Sequence, residues 1–265
     1  MPKLPISVFI ICKNEADRIH LPIESTRDWV DEIIVVDSGS NDGTMEKAEE
    51  LGATKVLFNE WPGYGPQKIF AEGLCRNRWL LNLDADEACS PTLAEHIQQL
   101  FAEGELEDAL YAIRNTMVFP FETKPRKFSP SGFFLRLYPK DKAGFKDSIV
   151  HDSVTSKSAD LKVIKIQQPI HHSGFRNYEH MIEKMNFYTG QQAKDNVSRG
   201  KKVSALRLIM EPFIMFPKAY FGRGYWRFGS EGFVHALFYA FGRTMRLAKT
   251  KELEKQLALR ADTSK

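Results

Sequence analysis

The chain has 265 residues, of which 43% are hydrophobic and 27% charged, a length that buries a sizeable core and a balance that excludes a disordered polymer. A net charge of +3 excludes bulk attraction to nucleic acid. Cys12, Cys75 and Cys89 are odd in number and widely spaced; they form neither a disulfide framework nor a zinc pattern, which points to a reducing, cytoplasmic compartment.

The opening stretch MPKLPISVFIICKNE lacks the layout of a signal peptide. No apolar run reaches the ~18 residues that a spanning helix needs. Within that stretch, Ile6 to Cys12 is a continuous, β-branched apolar run and predicts a buried strand. Pro22 suits the first turn of a helix running towards Trp29. Ile33 to Val36 predicts a second strand, ending at Asp37, and a helix follows from Thr44 to Leu51 with Gly52 as its stop. Lys55 to Phe58 is a weaker third strand, followed by a helix over Pro66 to Leu74. Trp79 to Leu83 is a fourth, and Ser90-Pro91 makes an N-cap and first-turn pair for a helix ending near Gly104. Alternating strands and helices at this spacing predict βαβ units and a mostly parallel sheet. Further on, Ala109 to Met117, Phe134 to Tyr138 and Leu161 to Ile166 read as strands. Asn177 to about Val197 reads as a helix with Met181, Met185 and Tyr188 on one stripe, and the remainder is helix-prone.

Three of the first four strands end in polar clusters: Lys13-Asn14-Glu15, Asp37-Ser38-Gly39-Ser40 and Asp84-Ala85-Asp86-Glu87. Ligands of such sheets bind at the carboxyl ends of the strands, so these clusters are expected along one edge. Two carboxylates two residues apart, Asp84 and Asp86, suit a hard divalent cation that also takes phosphate oxygens; alone, the tripeptide is more readily a turn or capping cluster, and its place at the fourth strand end, after two other polar strand ends, reverses that balance. The loop from Asp37 to Thr44 can offer backbone N–H groups to a nucleotide, with Asp42 as a cap, but it has neither the P-loop nor the dinucleotide signature. Lys68, at the end of the glycine-hinged stretch WPGYGPQK, can reach phosphates. Asp152 is a candidate general base. His171 and His172 are adjacent, and either imidazole is a candidate metal ligand, with His171 placed first.

Charge is unevenly spread. Arg199 to Lys251 holds 11 Lys and Arg residues against Glu211 and Glu231, interleaved with aromatics from Phe213 to Phe228. That pattern fits an interfacial helix pair on an anionic bilayer or a packed appendage with a basic rim.

ISVFIICKNE, EIIVVDSGSNDGT, WPGYGPQK, LDADE, the IVHD segment at 149–152 and the His-His-Ser at 171–173 occur in this order. With them the sequence resembles the inverting, GT-A-type family-two glycosyltransferases, and most closely the bacterial lipopolysaccharide-core glucosyltransferases that act on inner-core heptose. The resemblance implies a GT-A catalytic domain over residues 1–175 and a helical, basic, aromatic region over 176–265 facing acceptor or membrane. It implies a nucleotide-sugar donor, UDP-glucose first, and a glycolipid acceptor such as lipopolysaccharide-core heptose. The cofactor it implies is Mg²⁺ or Mn²⁺, and the location is cytoplasmic or peripheral on the inner face of the cytoplasmic membrane. By position, Lys13 and Glu15 would lie beside the nucleoside, Asp37 would hold base or ribose, and Gln67 and Lys68 would lie near the nucleotide. Asp84 and Asp86 would bind ribose, metal and diphosphate, and Asp152, where the family commonly has Glu, would be the catalytic base. Two rivals share the nucleotide chemistry. A sugar nucleotidyltransferase would have a glycine-rich loop after the first strand, where this chain has Lys13-Asn14-Glu15-Ala16-Asp17. A non-catalytic nucleotide- or lipid-binding module would have no need of the acids at Asp37, Asp84, Asp86 and Asp152.

Overall fold

The computed structural model describes residues 2–104, 106–147, 153–157 and 161–263, with side chains as far as residue 260. The chain divides into two units, Met1–Gly174 and Phe175–Lys265.

In the first unit the continuous apolar runs become strands: β1 (Leu4–Cys12), β2 (Val30–Asp37), β3 (Lys55–Phe58) and β4 (Trp79–Asn82). They lie parallel in the order β3-β2-β1-β4. Because side chains alternate across a strand, β1, β2 and β4 each feed two cores. Ile6, Val8, Ile10, Ile33, Val35 and Leu81 pack on one face; Phe9, Ile34, Val36 and Leu80 pack on the other. Helices α1 (His20–Glu24), α2 (Thr44–Glu50) and α4 (Pro91–Ala102) contribute Ile23, Ala48, Leu93 and Ile97 to the first core. The helix α3 (Tyr64–Leu74) adds Ala71 to the second. The chain steps outward from β1 to β3 and then returns to place β4 on the other side of β1. This reversal opens a crevice at the carboxyl ends of β1 and β4.

The sheet is extended by β5 (Glu87–Cys89), β6 (Leu110–Met117), β7 (Ser131–Pro139) and β10 (Val163–His172), in the full order β3-β2-β1-β4-β7-β6-β10-β5. Its added half mixes directions: β7 runs antiparallel to β4 and β6, while β6 and β10 are parallel. A separate hairpin pairs β8 (Ala143–Phe145) with β9 (Val154–Ser156).

Several expectations are adjusted. The helix expected to reach Trp29 stops at Glu24, because the Thr26 hydroxyl donates to the Pro22 carbonyl at 2.6 Å and the chain turns there. The run expected to end at Ile166 continues to His172 after a register shift between Ile166 and Pro169. The acidic stretch after β4 does not remain a loop, since Glu87 to Cys89 pairs antiparallel with β10.

In the second unit α5 (Tyr178–Ser198) and α6 (Ala205–Pro217) each pack on the 35-residue α7 (Gly229–Thr263). A π turn at Lys218–Gly222 and a 3-10 turn at Tyr225–Phe228 connect α6 to α7. Of the expected stripe of α5, Met181 is buried, Met185 is half-buried and Tyr188 is exposed; Thr189 and Ala193 complete the buried side. Gly232 is required where it stands, since a Cβ would lie 1.9 Å from the Tyr225 carbonyl oxygen. Among the described residues no helix is long and apolar enough to cross a membrane.

Ser90 caps α4 as expected, its hydroxyl accepting from Leu93 N–H at 3.1 Å. Ser90→Ala is expected to cost about 1 kcal/mol. The check is urea unfolding, with a lower midpoint at an unchanged slope.

Candidate active site

The crevice between β1 and β4 gathers the expected clusters. Asn14 takes a left-handed conformation, φ 56°, tolerable for its short polar side chain. Its N–H donates to Ser40 Oγ at 2.7 Å and its Oδ1 accepts from Asn41 N–H at 2.9 Å. Glu15 N–H donates to Thr44 Oγ1 at 2.9 Å and Ala16 N–H to Asp42 Oδ2 at 3.1 Å, while Asp42 Oδ1 accepts from Thr44 N–H at 3.1 Å. The loops after β1 and β2 are thereby tied together. Asp37 is buried and spends Oδ1 on the N–H groups of Gly39 and Ser40, both at 2.7 Å, and Oδ2 on the Ser40 hydroxyl. Gln67, also buried, donates to Ser38 Oγ at 3.0 Å and accepts from Asn59 Nδ2 at 2.7 Å, which fixes the start of α3 against the second loop. Lys13 is exposed at the rim.

The densest chemistry lies at the end of β4. Asp84 accepts from Lys68 Nζ at 2.9 Å on Oδ1 and from an Arg136 terminal nitrogen at 2.8 Å on Oδ2. Both cations also donate to Asn82 Oδ1, at 3.1 and 2.7 Å. The same Arg136 nitrogen lies 2.5 Å from Glu87 Oε1, which also accepts from Asn115; the other oxygen, Oε2, takes the Asp84 N–H at 3.0 Å. Asp86 has Arg18 at 3.6 Å and His172 Nε2 at 3.5 Å, and Arg18 in turn donates to Glu15 at 2.9 Å. Lys68 Nζ sits 4.9 Å from the ring centroid of Phe145. A cleft of about 370 Å³ opens over this network, floored by Asp84, Glu87, Arg136 and His172 and walled by Phe133, Phe134 and Phe145.

Ionisation follows from these neighbours. Burial disfavours the Asp84 carboxylate, but Arg136 and Lys68 outweigh it and hold the group well below the usual range. Glu87 is wholly enclosed; burial raises its pKa more than Arg136 lowers it, and the charge on Asp84 adds to the rise. Burial disfavours the His172 imidazolium, yet Asp86, Glu87 and Asp84 together raise its pKa above 6.5. Four acids (Glu15, Asp84, Asp86 and Glu87) meet Arg18, Lys68 and Arg136 here, and His172 lies beside Asp86.

His172, and not the expected His171, is the imidazole brought to the acids. Alternation along β10 turns the two side chains apart, and the His171 pKa is lowered by burial and by Lys124. Asp152 lies outside the described residues; Ser153 and Val154, which follow it, line the cleft. Sequence reasoning missed Arg136, Arg18 and Asn115, and placed Glu87 in the strand-end cluster without a role. One signal for Arg136 was available: an arginine between Leu135 and Leu137 in a strand-like apolar run demands buried partners. Among the described residues no set of three or more His, Cys, Asp or Glu side chains forms a ready-made metal cage.

Fold and site define an α/β protein with paired acids and buried cations at the crevice of its sheet. The chain belongs to glycosyl transferase family 2, whose profile matches residues 7–164, and its fold is of the GT-A class. It is 43% identical over 258 residues to a glycosyltransferase of Rickettsia bellii, covering 95% of this chain and 87% of that protein. It is 31% identical over 244 residues to the lipopolysaccharide core biosynthesis glycosyltransferase LpsC of Rhizobium meliloti, covering 89% and 88%. Among solved structures, residues 1–349 of S. aureus TarS align with 96% of this chain and 92% of that one at 14% identity, with a TM-score of 0.46. The protein is thus a glycosyltransferase.

The raised pKa of His172 fixes the sign of one pH effect. A raised folded value contributes stability that is complete below about pH 6.5 and lost as pH rises through the folded pKa. In the metal-free protein, NMR titration of the His172 ring is expected to show a midpoint above the ordinary histidine value. Asp86→Asn is expected to lower that midpoint; an unmoved midpoint removes Asp86 as its partner.

Proposed function

We propose that the protein is an inverting hexosyltransferase taking a nucleotide-sugar donor, with UDP-glucose the first to test. The acceptor is a hydroxyl of a membrane-held glycolipid such as lipopolysaccharide-core heptose. The observation that carries this reading is the convergence of Lys68 and Arg136 on Asp84, beside Asp86, at the sheet crevice. Two buried cations at one point are suited to a diphosphate, and the aromatic wall of the cleft is suited to a sugar ring. The name of LpsC, a lipopolysaccharide core glycosyltransferase, supports the choice of acceptor class.

Arg136, which lines the cleft, stabilises the leaving diphosphate as its charge grows, and Lys68, buried and bonded to Asp84 and Asn82, positions Asp84. Lys13 and Glu15 flank the nucleoside, and Asp37 and Gln67 shape the loops that receive it. The donor set fits Mg²⁺ or Mn²⁺. Asp86 and Asp84 would hold the ion through the hard carboxylate oxygens that such ions prefer. The charge balance adds a reason, since four acids already engage the site's cations and an incoming diphosphate brings further negative charge. When bound, the ion neutralises charge on the departing diphosphate. Asp152 takes the proton of the acceptor hydroxyl, the oxygen attacks the anomeric carbon opposite the diphosphate, and the anomeric configuration inverts.

Incubation with UDP-glucose, metal and a glycolipid extract is expected to release nucleoside diphosphate only when acceptor is present. In a separate incubation, release of pyrophosphate from a nucleoside triphosphate and a sugar 1-phosphate would assign the nucleotidyltransferase reaction instead. Asp152→Asn is expected to lower turnover by about two orders of magnitude or more while the thermal shift given by the donor persists. Normal turnover in that variant removes Asp152 as base. Asp86→Ala is expected to abolish stimulation by Mg²⁺ or Mn²⁺, and unchanged activity of the wild-type protein in chelator refutes the metal role.

A further inference from the structure

Among its described residues α6 is inverted relative to a helix that packs in a protein interior. The side chain it buries is an acid, Glu211, 4% exposed. Arg243 of α7 donates to Glu211 Oε1 at 3.2 Å, and Arg207 approaches Oε2 at 4.0 Å. The large apolar side chains point outward, with Leu206 71%, Ile209 62% and Phe213 69% exposed, and Met210 and Ile214 beside them. Positions 206, 209, 210, 213 and 214 recur at three- and four-residue spacing and so form one stripe. Such a stripe normally supplies a helix with its packing energy.

The end of the stripe merges with aromatic rings. Phe216 stacks on Tyr220 with centroids 5.4 Å apart, Tyr220 meets Phe221 at 5.1 Å, and Phe233 of α7 lies 5.4 Å from Phe216. Phe221 and Phe233 are exposed. Over residues 201–228 the charges are Lys201, Lys202, Arg207, Lys218, Arg223 and Arg227 against Glu211, which is buried. The exposed charge of this segment is therefore of one sign, with Glu231 of α7 the acid next to Phe233. A second copy docking on this face would set these cations against their own kind. An anionic lipid surface complements both features, taking the stripe into its acyl boundary and the cations among its headgroups.

We propose that α6 is an interfacial anchor that lies in the plane of an anionic bilayer, with Leu206, Ile209 and Phe213 inserted and the flanking Lys and Arg residues on lipid phosphates. This deepens the reading of a membrane-held acceptor. The test uses no sugar donor, so its failure is separable from failure of the transfer reaction.

The experiment is flotation of the full chain with vesicles of phosphatidylcholine alone or with one quarter phosphatidylglycerol. The wild-type protein is expected to float with the anionic vesicles, to be released by high salt, and to stay behind with the neutral ones. The triple variant Leu206→Ser, Ile209→Ser, Phe213→Ser is expected to lose binding by about tenfold or more. The variant Lys201→Glu, Lys202→Glu leaves the apolar stripe intact and is expected to lose anionic binding by about tenfold as well; it decides the matter if the triple variant does not fold. Wild-type protein that ignores anionic vesicles, or charge-reversed protein that binds them undiminished, overturns the proposal. So does a dimer by light scattering that the triple substitution converts to monomer, because the stripe would then belong to a second copy.

Discussion

A carboxylate placed where two buried cations reach it sets the terms for everything at the end of β4. Lys68 and Arg136 favour the ionised form of the half-buried Asp84, and each cation needs further acceptors of its own. Asn82 serves both, and Glu87 serves Arg136. Those demands recruit four elements: α3 for Lys68, β4 for Asn82, β7 for Arg136 and β5 for Glu87. The antiparallel extension of the sheet is therefore part of the site, since without β7 beside β4 there would be no Arg136 at Asp84. Removing one partner from a buried charge pair leaves the other uncompensated, which costs more than the pair contributed. This network is thus far less tolerant of change than the exposed rim at Lys13.

Strands β1, β2 and β4 of the parallel half are legible in the sequence because they are buried on both faces. Continuous β-branched runs such as Ile6 to Cys12 have no other simple interpretation, and the polar residues that end them fall at one edge by topology alone. The cap at Ser90 is legible because its signal is local. Long-range register was not legible. Nothing local distinguishes His171 from His172, and the choice depends on how β10 aligns with β5, where His172 pairs with Glu87. The length of α1 was misread because a hydroxyl at Thr26 competes for the Pro22 carbonyl, an interaction that hydrophobic spacing does not encode. The stripe of α5 shifts for a related reason. Thr189 is buried because its hydroxyl bonds the Met185 carbonyl and receives Lys249, so a polar residue occupies a place that apolar periodicity assigns to Tyr188.

The second unit shows that periodicity finds a helix without finding its inside. Apolar spacing in α6 is ordinary, yet the buried position is Glu211, fixed by Arg243. Charge pairing on the inner face and apolar exposure on the outer face are two consequences of one choice of orientation. The basic residues that give this segment its sign serve different ends: Arg243 is consumed inside the unit, whereas Lys201 and Lys202 stay at the surface.

The hydrogen bonds between residues 14–16 and 40–44 have a further consequence. Asn14, Asp42 and Thr44 bind two loops into one piece, with backbone groups of each satisfied by side chains of the other. The configurational entropy of these loops is surrendered when the chain folds, not when a ligand arrives. A molecule entering at this rim meets a preformed mould. Its selectivity is then set by shape and hydrogen-bond geometry, and substitutions that loosen the mould, such as at Asp42, would act on affinity from positions that never touch the ligand.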